Sequence, residues 1–322
     1  MSALGAVVDA GGIEVSRVLA RVERRMAELA GGHGELLGDY ARDTIAAGGK
    51  RLRPLLLCLA AGAPPPESDD VVRAATAVEL VHAASLVHDD VLDAAELRRG
   101  RPTVVARGGR RIATATGDLL FSRAFAELAS VDSAATVAVR ILSRASSGLA
   151  VGELLQRTDA WNVDVTVERY LERCRLKTAV LFRAACELGA LNGGGDGKAL
   201  GQYAERIGLA FQILDDVLDV AGSPSETGKP RGTDLLDGTV TLPLILARAA
   251  EPALARLDLR ALSGPEEVQP VCDLIAASGA LECARTRALD MVSHAKAELP
   301  ALPERQRAAL ELVADGVVER YS

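Results

Sequence analysis

The chain has only five cysteines, Cys58, Cys174, Cys186, Cys272 and Cys283, and no two stand in a Cys-x-x-Cys spacing. An odd, scattered set supports neither a disulfide framework nor a zinc site, and it fits buried free thiols in a reducing compartment. Long apolar runs are missing as well. The longest, Leu55 to Ala63, is too short to span a bilayer and stops at Pro64-Pro65-Pro66. Met1 to Gly12 lacks both a basic start and a long apolar core, so no secretory signal is expected, and the reading is a soluble, cytoplasmic protein. There is no basic excess: 37 Lys and Arg stand against 44 Asp and Glu, a net charge of −7, which argues against a nucleic-acid-binding surface. Clustered arginines must therefore be read as sites. Period-two runs of β-branched residues are hard to find and aromatics make up 3% of the chain, whereas alanine and leucine are abundant. That pattern predicts an all-α fold. No charge run or compositional break interrupts residues 1–322, which predicts a single domain.

Helical periodicity is readable along most of the chain. Residues 13–30 form an amphipathic pattern ended by Gly31-Gly32, and a second helix is expected over 34–46, stopped by Gly48-Gly49. Lys50-Arg51-Leu52-Arg53-Pro54 follows. Glycines ahead of a helix opening at Pro54, with three cations beside them, are suited to cradle a diphosphate. Ser68 can cap a long helix reaching about Asp93. Further helices are expected over 114–129, 134–157, 168–188, 198–220, 241–254, 265–279 and 280–320. Residues 222–238, rich in Gly and Pro and carrying Lys229 and Arg231, read as a flap.

One five-letter string occurs twice. Asp89-Asp90-Val91-Leu92-Asp93 and Asp215-Asp216-Val217-Leu218-Asp219 each place two carboxylates four residues apart on one helical face, in otherwise apolar surroundings. Both close long apolar-periodic runs, where the helix dipole disfavours acids, and a divalent cation would reverse that cost. Two such pairs facing one another would form a negative cavity that requires cations. Arg98-Arg99-Gly100 follows the first copy. Lys177-Thr178 sits in apolar surroundings and needs a partner, for which an anion would serve. Phe121 and Phe125, four apart, form an aromatic face. Glu79 and His82 make one Glu-x-x-His, half of a di-iron bundle signature, but neither His33, His88 nor His294 has the glutamate a second copy demands.

Together these motifs resemble the trans-isoprenyl diphosphate synthases, the polyprenyl synthetase family, over nearly the whole chain and in the family's order. The matching blocks are Gly48–Pro54, His82 with Asp89–Asp93 and Arg98-Arg99-Gly100, Lys177-Thr178, Phe211-Gln212 with Asp215–Asp219, and Gly228-Lys229 through Gly232, Asp234 and Thr241-Leu242-Pro243. One departure stands out: the family commonly carries lysine after the flap glycine, and here Gly238 is followed by Thr239. A class I terpene cyclase shares the first motif, but its second metal motif needs a glutamate that the 215–223 stretch lacks.

The resemblance implies a helical bundle around a cavity and a head-to-tail prenyl transfer between isopentenyl diphosphate and an allylic diphosphate. It implies Mg²⁺, up to three ions, held by Asp89, Asp93 and Asp215, with Asp90, Asp216 and Asp219 in support. Lys177, Lys229 and Arg98 would add positive charge on the leaving diphosphate, and Gln212 and Thr178 would offer oxygen dipoles near the allylic cation. Lys50, Arg53, His82 and Arg99 would hold isopentenyl diphosphate. A homodimer is implied, with peripheral membrane contact for product release. In the family, an aromatic four or five residues before the first aspartate shortens the product. Those positions are Ser85 and Ala84, with Val81 a turn further on, so the channel is expected to be open as far as Phe121 and Phe125. Products of C30 or beyond are expected, with geranylgeranyl diphosphate as the alternative.

Overall fold

The computed structural model describes residues 3–31, 34–63, 65–98, 100–131, 134–222 and 230–319. Among them, helices dominate and the only strands form a two-residue antiparallel hairpin. In chain order the elements are α1 (Ala3–Gly11), α2 (Ile13–Ala30), α3 (Gly34–Ala46), α4 (Leu52–Ala61), α5 (Asp69–Leu92), β1 (Leu97–Arg98), β2 (Arg101–Pro102), α6 (Val104–Ala129), α7 (Ala135–Asp159), α8 (Val167–Cys174), a π-helical turn (Arg175–Ala179), α9 (Val180–Gly193) and α10 (Gly197–Ala221). After a single helical turn at Thr233–Leu236 come α11 (Leu242–Ala250), α12 (Pro265–Ala277), α13 (Ala280–Ala297) and α14 (Glu304–Glu319).

The chain divides into two compact units, one of residues 1–146, 181–202 and 299–313, the other of residues 147–180, 203–298 and 314–322. The first is built around α5. Ser68 caps that helix, its side chain accepting from the Val71 N–H at 3.2 Å, a contact of a kind that contributes about 1 kcal/mol. Burial along α5 runs round the helix rather than along one stripe, from Val71 and Val72 to Ala84 and Val87. By length and composition it is the one described helix able to cross a membrane, yet 72% of its most apolar window is buried inside the protein, as in a core helix. Helix α6 runs back antiparallel beside it: Thr114 and Asp118 flank His88 at one end, and Glu127 meets Arg73 at the other. Gly117 makes the close approach possible, since a Cβ there would lie 2.2 Å from the His88 ring. At the far end, Arg25 grips the buried Glu127 with two hydrogen bonds of 2.9 and 2.7 Å.

In the second unit, Thr166 caps α8 by accepting from the Arg169 N–H. Helix α8 then passes without interruption into the π turn. That wider turn is permitted by Gly152 on α7, where a Cβ would sit 2.6 Å from the Lys177 nitrogen.

The structure corrects several expected boundaries. Helix α4 opens at Leu52 rather than Pro54, with Arg51 in the left-handed region at φ 47°. Helix α6 begins at Val104, ten residues earlier than expected, and is broken at Gly109, whose φ of 75° and ψ of 171° are not helical. The expected 280–320 helix is two, parted at Glu298–Pro303, where prolines end the ladder. Lys177 and Thr178 lie in a π turn, not in regular α-helix. Four of the cysteines are buried free thiols as expected, but Cys283 is exposed. Arg99 and Lys229 fall outside the described residues, as does the 223–229 part of the flap.

Candidate diphosphate site

In the first unit, Asp89 is half-buried in the last turn of α5, and Asp93 is the exposed C-cap residue whose N–H donates to the Asp89 carbonyl at 2.8 Å. Asp90 between them is turned inward, 4% exposed, and accepts from Nε and Nη2 of Arg98 at 2.8 and 2.7 Å. Burial raises its pKa and the arginine opposes that shift. The two-residue hairpin thus returns Arg98 onto the aspartate helix.

A cavity of about 370 Å³ opens beside this pair, lined among others by Gly48, Arg51, Glu79, His82, Asp90 and Arg98. It brings together Gly48, His82 and, from the first motif, Asp90 with Arg98. Lys50 and Arg53 do not line it. Lys50 is exposed on its loop, and Arg53 lies with its guanidinium 4.8 Å over the Phe182 ring, its Nε without a partner among the described residues. Burial lowers Arg53 to about 10, which leaves it cationic at neutral pH. Sequence reasoning missed Arg51 and Glu79 as a pair. Arg51 donates to Glu79 at 2.9 Å and also holds Glu23. The signal was present, because Glu79 belongs to the Glu-x-x-His string and Arg51 to the basic loop.

In the second unit the acidic string repeats the pattern on α10. Asp215 is exposed and Asp219 half-buried, whereas Asp216 is 4% exposed and fully engaged. It accepts from the Tyr170 hydroxyl at 2.6 Å and from Gln212 Nε2 at 2.8 Å. Burial pushes the Asp216 carboxyl up to about 7 against those two hydrogen bonds, with the Asp215 charge adding to the rise. Asp219 anchors the chain beyond the flap: its carbonyl accepts from the Gly232 N–H at 2.8 Å and its Oδ2 from the Asp234 N–H at 3.2 Å.

The partners that Lys177 and Thr178 were expected to need are found inside the protein. Lys177 Nζ is bound to Glu153 at 2.5 Å, and Thr178 donates to Gln212 Oε1 at 2.7 Å. Arg157 shares Glu153 at 3.0 Å. Lys177, Thr178 and Gln212 line a second cavity of about 160 Å³ together with Arg173, Asp216, Asp234 and Thr239.

Among the described residues, no three His, Cys, Asp or Glu side chains converge as a ready metal cage. The donors nevertheless fit magnesium, which keeps several waters and takes one or two carboxylates plus substrate phosphate oxygens. Each motif offers that number of hard oxygen donors, Asp89 with Asp93 and Asp215 with Asp219.

Comparison with known proteins agrees with this chemistry. The polyprenyl synthetase family model matches residues 34–276, through both units. The chain is 38% identical over 292 residues to heptaprenyl diphosphate synthase component 2 of Geobacillus stearothermophilus, covering 88% of this chain and 90% of that one. It is 40% identical to a short chain isoprenyl diphosphate synthase of Methanothermobacter thermautotrophicus, covering 89% and 91%. Its fold superposes with a TM-score of 0.89, at 36% identity and over 99% and 98% of the two chains, on a polyprenyl synthase from Caulobacter crescentus solved with calcium and isoprenyl diphosphate. The chain belongs to the polyprenyl synthetase family and is an all-α enzyme that transfers prenyl groups.

Proposed function

We propose that the protein condenses isopentenyl diphosphate head-to-tail with an allylic diphosphate in a magnesium-dependent reaction. One observation carries this reading. Both acidic strings leave the first and last aspartates half-buried or exposed and bury the middle one in a hydrogen-bonded brace, Asp90 on Arg98 and Asp216 on Tyr170 and Gln212. A solvated acidic face has no reason to repeat that division twice. Asp89, Asp93, Asp215 and Asp219 are the carboxylates assigned to the metal, and Asp90 and Asp216 brace their strings. Bound Mg²⁺ would supply neutralisation of the charge that grows on departing pyrophosphate.

The allylic C–O bond breaks with its electron pair leaving on pyrophosphate, and the alkene of isopentenyl diphosphate then forms the new C–C bond. The proton lost in restoring the double bond passes to pyrophosphate. Lys177, Arg98 and Lys229 place positive charge about the leaving group. Thr178 and Gln212, already bonded to one another, present oxygen dipoles to the allylic cation. The second diphosphate belongs to the basic side of the first unit, with Lys50, Arg53, Arg99 and His82. Arg53, a half-buried cation whose Nε lacks a hydrogen-bond acceptor among the described residues, supports this assignment.

Product length follows from α5. Val81 and Ala84 are fully buried and small, and the Ser85 hydroxyl is turned back onto the His82 carbonyl. Phe121 and Phe125 on α6 lie alongside this stretch, Phe121 with its ring 5.7 Å from that of His88. We assign products of C30 or beyond. The enzyme works as a homodimer of one continuous catalytic domain per chain, in the cytoplasm, its product tail meeting the membrane surface on release. Incubation with Mg²⁺, labelled isopentenyl diphosphate and primers from C5 to C20, followed by mass spectrometry, tests the proposal. Chains of at least 30 carbons are expected. Clean termination at 15 contradicts the length assignment, and a folded protein that extends no primer contradicts the function.

A further inference from the structure

Arg173 has no role in the site so far described. It is 4% exposed on α8, one turn from Tyr170 and one turn from Lys177, so the three share a face. Its Nη2 donates to the Val240 carbonyl at 2.5 Å and its guanidinium stands 5.5 Å over the Tyr170 ring. Nη1 has no hydrogen-bond partner, and Arg173 forms no salt bridge among the described residues. A buried guanidinium left in that state is costly, and native structures retain one where an anion completes it.

The position of this cation indicates which anion. Arg173 lines the 160 Å³ cavity with Lys177, Thr178, Gln212 and Thr239. Lys177 is committed to Glu153 at 2.5 Å. The cavity lining holds two carboxylates, Asp234 and Asp216, the latter already bonded to Tyr170 and Gln212. The cavity wall at Thr239 contributes only a hydroxyl. That wall is fixed, because the Trp161 N–H donates to the Gly238 carbonyl at 2.8 Å and the Thr239 N–H to the Asp234 carbonyl at 2.8 Å. Arg173 reaches the same short segment through the Val240 carbonyl.

We infer that Arg173 is a diphosphate-binding residue of this cavity, donating from Nη1 to an oxygen of the allylic diphosphate and supplying the positive charge that Thr239 does not. The inference rests on the proposed prenyl transfer. A planar guanidinium suits the role, since it keeps one nitrogen on the Val240 carbonyl while offering another to phosphate.

The test compares wild type, Arg173→Met, Arg173→Lys, and Arg173→Met combined with Thr239→Lys. The readouts are the KM for each substrate, the inhibition constant of inorganic pyrophosphate with Mg²⁺, and the melting temperature. Arg173→Met should raise the allylic KM and the pyrophosphate inhibition constant roughly 10- to 100-fold, the loss of one charge-assisted hydrogen bond, and leave the KM for isopentenyl diphosphate within about twofold. Adding Thr239→Lys should recover much of the loss, which a merely structural arginine would not allow. Arg173→Lys should show the same pattern more weakly and serves in its place where Arg173→Met does not fold. Wild type that turns over while the Arg173 variants keep wild-type affinities overturns the inference alone. So does equal weakening of both substrates with no recovery from Thr239→Lys. Wild type that extends no primer overturns the underlying reading and this inference with it.

Discussion

The middle aspartate of each acidic string and the lysine of the π turn show how single residues acquire their roles here. The (i, i+4) spacing of Asp89 with Asp93 and of Asp215 with Asp219 was legible from sequence, because it is a local consequence of helical period. The partners were not. Tyr170 finds Asp216 across 46 residues and Lys177 finds Glu153 across 24, and such pairings leave no periodic mark. The Lys177–Glu153 pair makes a testable contribution. Burial works to raise the Glu153 pKa, but Lys177 and then Arg157 outweigh it, and the net shift is downward. A carboxyl depressed on folding contributes stability above its unfolded pKa and loses it as pH falls through the folded value. The melting temperature of wild type should therefore fall on acidification from about pH 5, and that of Glu153→Gln should fall less steeply over the same range. At pH 7 the substitution should cost about 1–3 kcal/mol, since it strips the charged partner from a largely buried lysine. Parallel melting curves from pH 7 to pH 3 would show that the pair is not coupled to folding.

Helices were read with uneven success, for physical reasons. Helix α2 and helix α3 were expected at the bounds they have, because Gly31-Gly32 and Gly48-Gly49 punctuate them. Ser68 signalled the start of α5. The π turn was invisible, since one extra residue in a helical turn does not change the apolar pattern enough to be seen. What accommodates it lies on another element, at Gly152, where α7 comes against the turn. Gly152→Ala should push a methyl into backbone rather than into a flexible side chain, lowering stability by roughly 1–3 kcal/mol. It should also raise the allylic KM, because Lys177 moves with the turn. An unchanged KM with an unchanged melting temperature would detach the turn from the site. Helix α5 carries a second expectation. Ala84→Phe should shorten the product, since an aromatic ring occupies the volume of several methylenes on a face that is fully buried. Mass spectra showing the wild-type product length from this variant would remove α5 from the control of elongation.

At the scale of the molecule, composition and the scarcity of period-two runs predicted an all-α chain, and the described elements are almost wholly helical. The division into two compact units left no trace in the sequence, because several of its crossings fall inside helices, as at 146–147 in α7 and 202–203 in α10, and not in a linker. The two acidic strings belong to different units, yet their common letters were more legible than the architecture, and the structure buries the middle aspartate of each. The central claim is that both strings serve one metal-dependent diphosphate reaction. The most direct measurement is the turnover number for isopentenyl diphosphate incorporation by Asp89→Ala and by Asp215→Ala, at saturating Mg²⁺, beside far-ultraviolet circular dichroism of each variant. The account predicts that each substitution alone lowers turnover by about 4 kcal/mol of barrier or more, roughly a thousandfold, with helix content unchanged. Near-normal turnover in either variant would contradict it.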